Sequence, residues 1–171
     1  TFANQAIGYF KWSPGMEWMA NKGTHWERDD LLTRYTLAKG VCKRAANGLD
    51  NAKVAAKICA ASTSNAMLNL ARSAQHMATP VAAWDAHPML LNTPGEVLDL
   101  ETGRTVPRGG LLFTQVAGVA PAKMHTPVWD KFISEVFDGD LEMIEFIQRM
   151  GGYCLTGSIR EQKLFFLHGG G

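Results

Sequence analysis

The spacing of apolar and polar residues changes several times along the chain. Up to Trp26, aromatic residues alternate with polar and turn residues: Tyr9, Phe10 and Trp12, then Ser13-Pro14-Gly15, Trp18, Asn21-Lys22-Gly23 and Trp26. Alternation broken by turn residues predicts two short strands. From Asp29 the steps become four and three, through Leu31, Tyr35, Ala38, Cys42, Ala45 and Leu49, with Thr33, Arg34, Lys39, Lys43 and Arg44 on other faces. This is the signature of an amphipathic helix, and Asn47-Gly48 suits its C-terminal end. A second helix is predicted from about Asn51, with Val54, Ala55 and Ile58 inward. A third starts near Ser64, carrying Met67, Leu70, Ala71, Ala74 and Met77, and Ser62, Thr63 and Ser64 read as caps between the two. Helices this rich in alanine can pack closely.

After a connector holding Pro80 and Pro88, Met89-Leu90-Leu91 and Val97-Leu98-Asp99-Leu100 flank Asn92-Thr93-Pro94-Gly95 and predict a hairpin. Glu101-Thr102-Gly103-Arg104 reads as the next turn, and Leu111 to Val119 as a further strand ended by Pro121. Thr126 and Pro127 suit the start of a helix that carries Trp129, Phe132, Ile133, Val136 and Phe137 on one face. Asp138-Gly139-Asp140 ends it and opens another, with Leu141, Ile144, Ile147 and Met150 inward, Glu142, Glu145 and Arg149 outward, and Gly151-Gly152 as a break or bend. Lys163 to Leu167 has the character of a buried strand running into Gly169, Gly170 and Gly171.

The predicted fold class is α+β and mainly helical: an N-terminal helical bundle, a short β-hairpin region, and two further helices leading into a strand. A length of 171 residues fits one domain. Within it we distinguish short strands and turns over 1–28, a helical half over 29–78, the hairpin region over 87–121, a helical pair over 126–152, and a strand with its glycine loop over 160–171.

An apolar fraction of 46% and a charged fraction of 19% are those of a globular chain able to build a core. The net charge of +1 makes no general case for nucleic acid or membrane, but its distribution is uneven. Glu27 to Met77 holds eight basic and four acidic residues, whereas Pro127 to Met150 holds two basic and six acidic. Three separated cysteines, Cys42, Cys59 and Cys154, argue against a disulfide framework and against a zinc site, and fit a reducing, cytosolic setting. No apolar run reaches the ~18–20 residues that span a bilayer, and the start lacks the layout of a signal peptide. A chain that starts at Thr1 and ends in three glycines is expected to be a piece of a longer protein.

No catalytic constellation emerges. His25, His76, His87, His125 and His168 are scattered singly, Cys154 has no nucleophile context, and no serine sits in G-x-S-x-G. The carboxylates Asp138, Asp140, Glu142 and Glu145 hold positions favoured by helix caps and first turns. We expect no catalytic residue and no metal ligand. Lys39, Lys43, Arg44, Lys53, Lys57 and Arg72 are candidates for DNA contact if their helices face one way, and otherwise are the solvated faces of amphipathic helices. A strand followed at once by Gly169, Gly170 and Gly171 is also how a phosphate-binding loop begins, glycines letting backbone amides approach phosphates.

With these pieces in order, the chain resembles the N-terminal helical domain of phage and plasmid primase-helicases, a group that includes the poxvirus type. Trp18 to Trp26, with Gly23 between and Asp29 after, is similar to the family's W-x-G-x-x-W-x-x-D, with a different spacing. His87 to Gly103 (HPMLLNTPGEVLDLETG) resembles its L-L-N-x-x-x-G-x-x-D-L-x-T-G hairpin, with the first glycine displaced to Gly95. Trp129 and Phe132 then precede Phe137-Asp138-Gly139-Asp140. Ile147 to Gly171 (IQRMGGYCLTGSIREQKLFFLHGGG) resembles the family's approach to its superfamily-three helicase. The resemblance implies that Gly169 to Gly171 open a nucleotide-binding loop that would continue through Asn-Gly-Lys-Ser or Thr. It further implies a parent enzyme that binds ATP and magnesium, acts on DNA as a hexameric ring in the cytoplasm of a bacterial host, and is often fused to a primase. This chain would be its non-catalytic connector and collar, with no cofactor of its own. A DNA-binding module using Lys39 to Arg72 is the alternative.

Overall fold

The computed structural model describes residues 1–168, which form six helices and two three-stranded antiparallel sheets, the α+β, mainly helical class read from the sequence. The backbone divides into two compact units. The first holds Thr1–Ala86 with Gly110–Gln115, and the second holds His87–Gly109 with the chain from Val116 onward.

In the first unit a single-turn helix α1 (Phe2–Gln5) leads into a meander of β1 (Phe10–Ser13), β2 (Glu17–Asn21) and β3 (Trp26–Arg28). Gly15, at φ 78°, makes the turn between β1 and β2. The third strand exceeds the two that alternation predicts: Trp26 begins it, paired with Asn21 of β2 and buried. Helices α2 (Thr33–Ala46), α3 (Ala52–Cys59) and α4 (Ala61–Ala71) follow. Phe2, Phe10, Trp18, Ala38, Leu68, Ala71 and Met77 build one core, in which the rings of Phe2 and Trp18 meet edge to face at 6.1 Å.

The helix positions agree with the periodicity better than the predicted inward faces do. In α2, Ala38 and Cys42 are buried, but Leu31 precedes the helix and is exposed, as are Ala45 and Leu49. In α3, Val54 faces out and only Ala55 and Ile58 are half-buried. In α4 and the turn after it, Met67, Ala71, Ala74 and Met77 pack on the core as the spacing implies, but Leu70 is 75% exposed and Leu68 takes the buried position at 3%. Ser62, Thr63 and Ser64 lie inside α4 and do not cap it. The Thr63 hydroxyl donates to the Lys57 carbonyl at 2.6 Å, and Ser64 Oγ is buried 3.7 Å from Cys42 Sγ. At the other end of α2 the prediction holds, with Asn47 as C-cap and Gly48 at φ 81°.

Leu111 to Val119 is not a strand. Residues 110–115 return to the first unit, where Leu112 forms an isolated bridge with Trp84, the Trp26 amide donates to the Phe113 carbonyl at 2.8 Å, and Asp85 Oδ1 accepts from the Thr114 amide at 2.8 Å. This closes a second small core of Met19, Trp26 and Trp84.

In the second unit β4 (Leu90–Asn92), β5 (Val97–Asp99) and β6 (Arg104–Val106) form the other meander, so the predicted hairpin is present with one more strand. Arg108 supports its first turn, donating to Asn92 Oδ1 at 3.0 Å and to the Thr93 carbonyl at 2.7 Å. Helix α5 (Pro127–Val136) starts as expected at Thr126 and Pro127. Helix α6 (Leu141–Cys154), capped by the Asp140 carboxylate accepting from the Met143 amide, continues through Gly151-Gly152 without a break. Two glycines cost roughly 2 kcal/mol relative to alanines, and here they do not stop a helix whose half-buried face runs on from Ile144, Ile147 and Met150 to Tyr153. Lys163 to Leu167 is not a strand: it pairs with none in the described residues, and Leu164, Phe166 and Leu167 are exposed. Phe165 alone turns back, 6.3 Å from the ring of Phe146 and 6.4 Å from that of Tyr153.

Candidate functional site

The six basic candidates all lie in the first unit, and the structure sorts them into two groups. Between Asp30 and Asp85 that unit has seven basic residues and a single acidic one, Asp50, so the helices α2 to α4 carry its excess charge. Lys39 and Lys43 sit four residues apart on one face of α2, and Lys53 and Lys57 do the same on α3, opposite the half-buried Ala55. All four are exposed, and none forms an ion pair among the described residues.

The two arginines are committed elsewhere. Arg44 lies on another face of α2, where its guanidinium donates to Gln5 Oε1 of α1 and covers Gly40. Arg72 ends α4 with its guanidinium 5.7 Å from the ring centroid of Trp12, a cation–π contact that ties α4 to β1. Four of the six candidates are thus free for an external anion, and two hold the unit together.

Sequence reasoning named Asp29 only as the start of the helical period and the end of the tryptophan motif, and gave it no structural role. It is 5% exposed, and its two oxygens accept from the Thr33 amide (2.8 Å), the Thr33 hydroxyl (2.5 Å), the Arg34 amide (3.1 Å) and the Arg34 guanidinium (3.0 Å). Burial pushes the carboxyl up, but these hydrogen bonds outweigh it and hold Asp29 below the usual carboxylate range. The Asp29 amide donates to the Trp18 carbonyl at 2.8 Å, and the Arg34 guanidinium lies 6.0 Å from the Trp18 ring and 5.2 Å from that of Tyr35. Aspartate here works as a cap placed four residues before Thr33, with Leu32 turning through φ 56° between them.

A second surface belongs to the other unit. Ile133 is the buried residue of α5, while Trp129, Phe132 and Val136, which share one apolar face with it, are 49%, 52% and 55% exposed. The rings of Trp129 and Phe132 stack obliquely at 5.8 Å, and a shallow hollow runs beside them between Val128, Lys131 and Glu135. Asp130, Asp138 and Glu142 are exposed and without an ion-pair partner among the described residues. Polar pockets exist as well: Pro88, Met89, Glu101, Tyr153, Ser158 and Arg160 line a cavity of about 650 Å³ within this unit. Among the described residues no cluster of His, Cys, Asp and Glu is arranged to hold a metal, and no helix is long and apolar enough to cross a membrane. The candidate phosphate loop, Gly169 to Gly171, lies outside the described residues.

Residues 4–138 match the family model described as D5 N terminal like. The chain belongs to this family. The match takes in the Trp18 to Asp29 cluster, the lysine-bearing helices, the hairpin and α5, and it stops before the Ile147 to Gly171 segment. D5 N-terminal-like domains are found in primase-helicase proteins. Neither a curated protein nor a solved structure gives a significant match.

Proposed function

We propose that this D5 N-terminal-like domain is a non-catalytic connector and collar of a DNA-replication primase-helicase, supporting ring assembly and coupling primase to an ATP-driven motor. The observation that carries the reading is the apolar stripe of α5. A Trp or Phe buries ~150–250 Å² when fully covered, so each half-covered ring here has roughly 2–3 kcal/mol of burial still to gain at about 25 cal/mol per Å². An aromatic pair left in this state is what an assembly domain presents to a neighbour. In this reading the parent is of the phage, plasmid or poxvirus type and works on DNA as a hexameric ring in a bacterial host. Gly169, Gly170 and Gly171 would then open the loop that binds ATP and magnesium in the motor.

The test is sedimentation of the native chain against Trp129→Ser/Phe132→Ser. We expect the native chain to self-associate and the variant, with an unchanged melting temperature, to remain monomeric. Equal association by both would refute the role given to α5.

A second reading is favoured by the four unpaired lysines of α2 and α3: a DNA-binding module. It predicts an affinity for duplex DNA that falls with salt with a logarithmic slope of about −3 to −4 for four phosphates, and that Lys39→Ala/Lys43→Ala reduces the slope by about half. A slope unchanged by that variant would remove it.

A further inference from the structure

The exposed apolar residues of α5 read the same in both directions along the helix. Val128, Phe132 and Val136 recur at every fourth residue with Phe132 midway, and Trp129 stacks on Phe132. Successive residues of an α-helix turn by about 100°, so Ile133 lies just over a quarter-turn to one side of Phe132 and Lys131 as far to the other, with Glu135 between Lys131 and the stripe. Ile133 is buried, whereas Val128, Lys131, Phe132 and Glu135 together line the shallow hollow beside the stripe. On that free edge Lys131 Nζ and Glu135 Oε1 are 3.6 Å apart, and both side chains are exposed.

These positions select an occupant. Nucleic acid would leave the stripe in water and meet an edge with as much negative charge as positive. The geometry points to α5 of a second copy of this chain, packed antiparallel about a two-fold axis at Phe132. Val128 of one copy then lies opposite Val136 of the other, and Phe132 opposite its counterpart. Such an axis brings the same edge of both helices together in reverse direction. Lys131 therefore faces Glu135 of the second copy and Glu135 faces its Lys131, two pairs of opposite charge across one contact. A parallel pair would set this edge against the Ile133 side and leave both charges without a partner across the contact.

The inference rests on the assembly reading above and names its contact. The uncovered parts of the two rings and two valines come to roughly 400 Å² a copy, so a pair buries about 800 Å², below the ~1,200 Å² at which lasting interfaces begin. The isolated chain therefore pairs weakly. An isologous contact also stops at two chains, so this domain would gather the members of a ring in pairs and leave closure to the rest of the parent protein, where a high local concentration offsets the weak affinity.

Charge exchange tests the pairing. Sedimentation of the native chain should show a monomer–dimer equilibrium that salt weakens. Lys131→Glu makes the edge wholly acidic and Glu135→Lys makes it wholly basic. Each variant alone, folded by circular dichroism and thermal melting, should dimerise about ten-fold or more weakly than the native chain. The two mixed in equal amounts should pair with about native affinity, and so should Lys131→Glu/Glu135→Lys, which restores both pairs in the opposite sense. Single variants that dimerise like the native chain overturn the pairing, and the assembly reading stands if Trp129→Ser/Phe132→Ser still prevents association. A mixture as weak as its components assigns the charges to another surface and overturns it as well. Native species heavier than two chains that are lost in Trp129→Ser/Phe132→Ser would show a head-to-tail contact of α5, against this inference alone. A native chain that is monomeric at every concentration removes both this inference and the assembly reading.

Discussion

Asp29 accepts two hydrogen bonds from Arg34 on the same carboxylate oxygen, from the amide at 3.1 Å and the guanidinium at 3.0 Å. The pair begins α2 and, through the stacking of Arg34 on Trp18 and Tyr35, fixes the helix to the first sheet. Asp29→Ala removes the cap and leaves a largely covered guanidinium without its partner. We expect a loss of about 2–4 kcal/mol, read as a lower denaturation midpoint. A change within 0.5 kcal/mol would show that the carboxylate is dispensable.

The same carboxyl predicts an acid dependence. Its pKa is depressed in the folded state, so its contribution is fully present above the unfolded value of about 3.9 and is lost as pH falls through the folded value. Thermal melts from neutral pH downward should therefore lose stability below about pH 4. Asp29→Asn should be less stable at neutral pH and flatter in the acid range, and parallel profiles for the two proteins would contradict this assignment.

Gly157 is held against Pro88. Its amide donates to the Pro88 carbonyl at 2.7 Å, and a Cβ placed on it would stand 3.2 Å from Pro88 Cα, a backbone atom that cannot swing aside. Gly157→Ala should cost the second unit about 1–3 kcal/mol by overpacking. Gly110→Ala, where a Cβ meets nothing within 4 Å, should cost less. Chemical denaturation monitored at tryptophan and by amide exchange in β4 compares them, and equal effects would contradict the close approach.

The basic residues should separate by substitution. Lys53→Ala/Lys57→Ala leaves no structural contact unmade and should shift stability by less than about 0.5 kcal/mol. Arg72→Ala should lose roughly 0.5–1 kcal/mol with its contact to Trp12. Thermal melts of the two, measured at the same salt, would reverse that order if Arg72 were the free cation.

Much of the fold was legible because spacing and turn chemistry are local. The step of three and four gave α2, Asn92-Thr93-Pro94-Gly95 gave the turn between β4 and β5, and Thr126-Pro127 gave the start of α5. Inward faces were less legible. In α4, Ala61, Ala66 and Ala71 fit either face, so nothing local decides between Leu68 and Leu70. Residues 110–115 look like a strand, yet their backbone is satisfied by Trp26 and Asp85, distant in sequence. Of the candidate site, the lysines were read correctly as exposed, but nothing local marked Arg44 and Arg72 as structural, since Gln5 and Trp12 are 39 and 60 residues away. The exposure of the α5 stripe was not legible for the same reason: an amphipathic pattern records that a face is apolar, and not whether this chain covers it.

The most direct measurement is the mass of the native chain by light scattering across a concentration series at low salt. The assembly account predicts a mass that rises with concentration above that of one chain. A mass fixed at that of one chain throughout the series would contradict it.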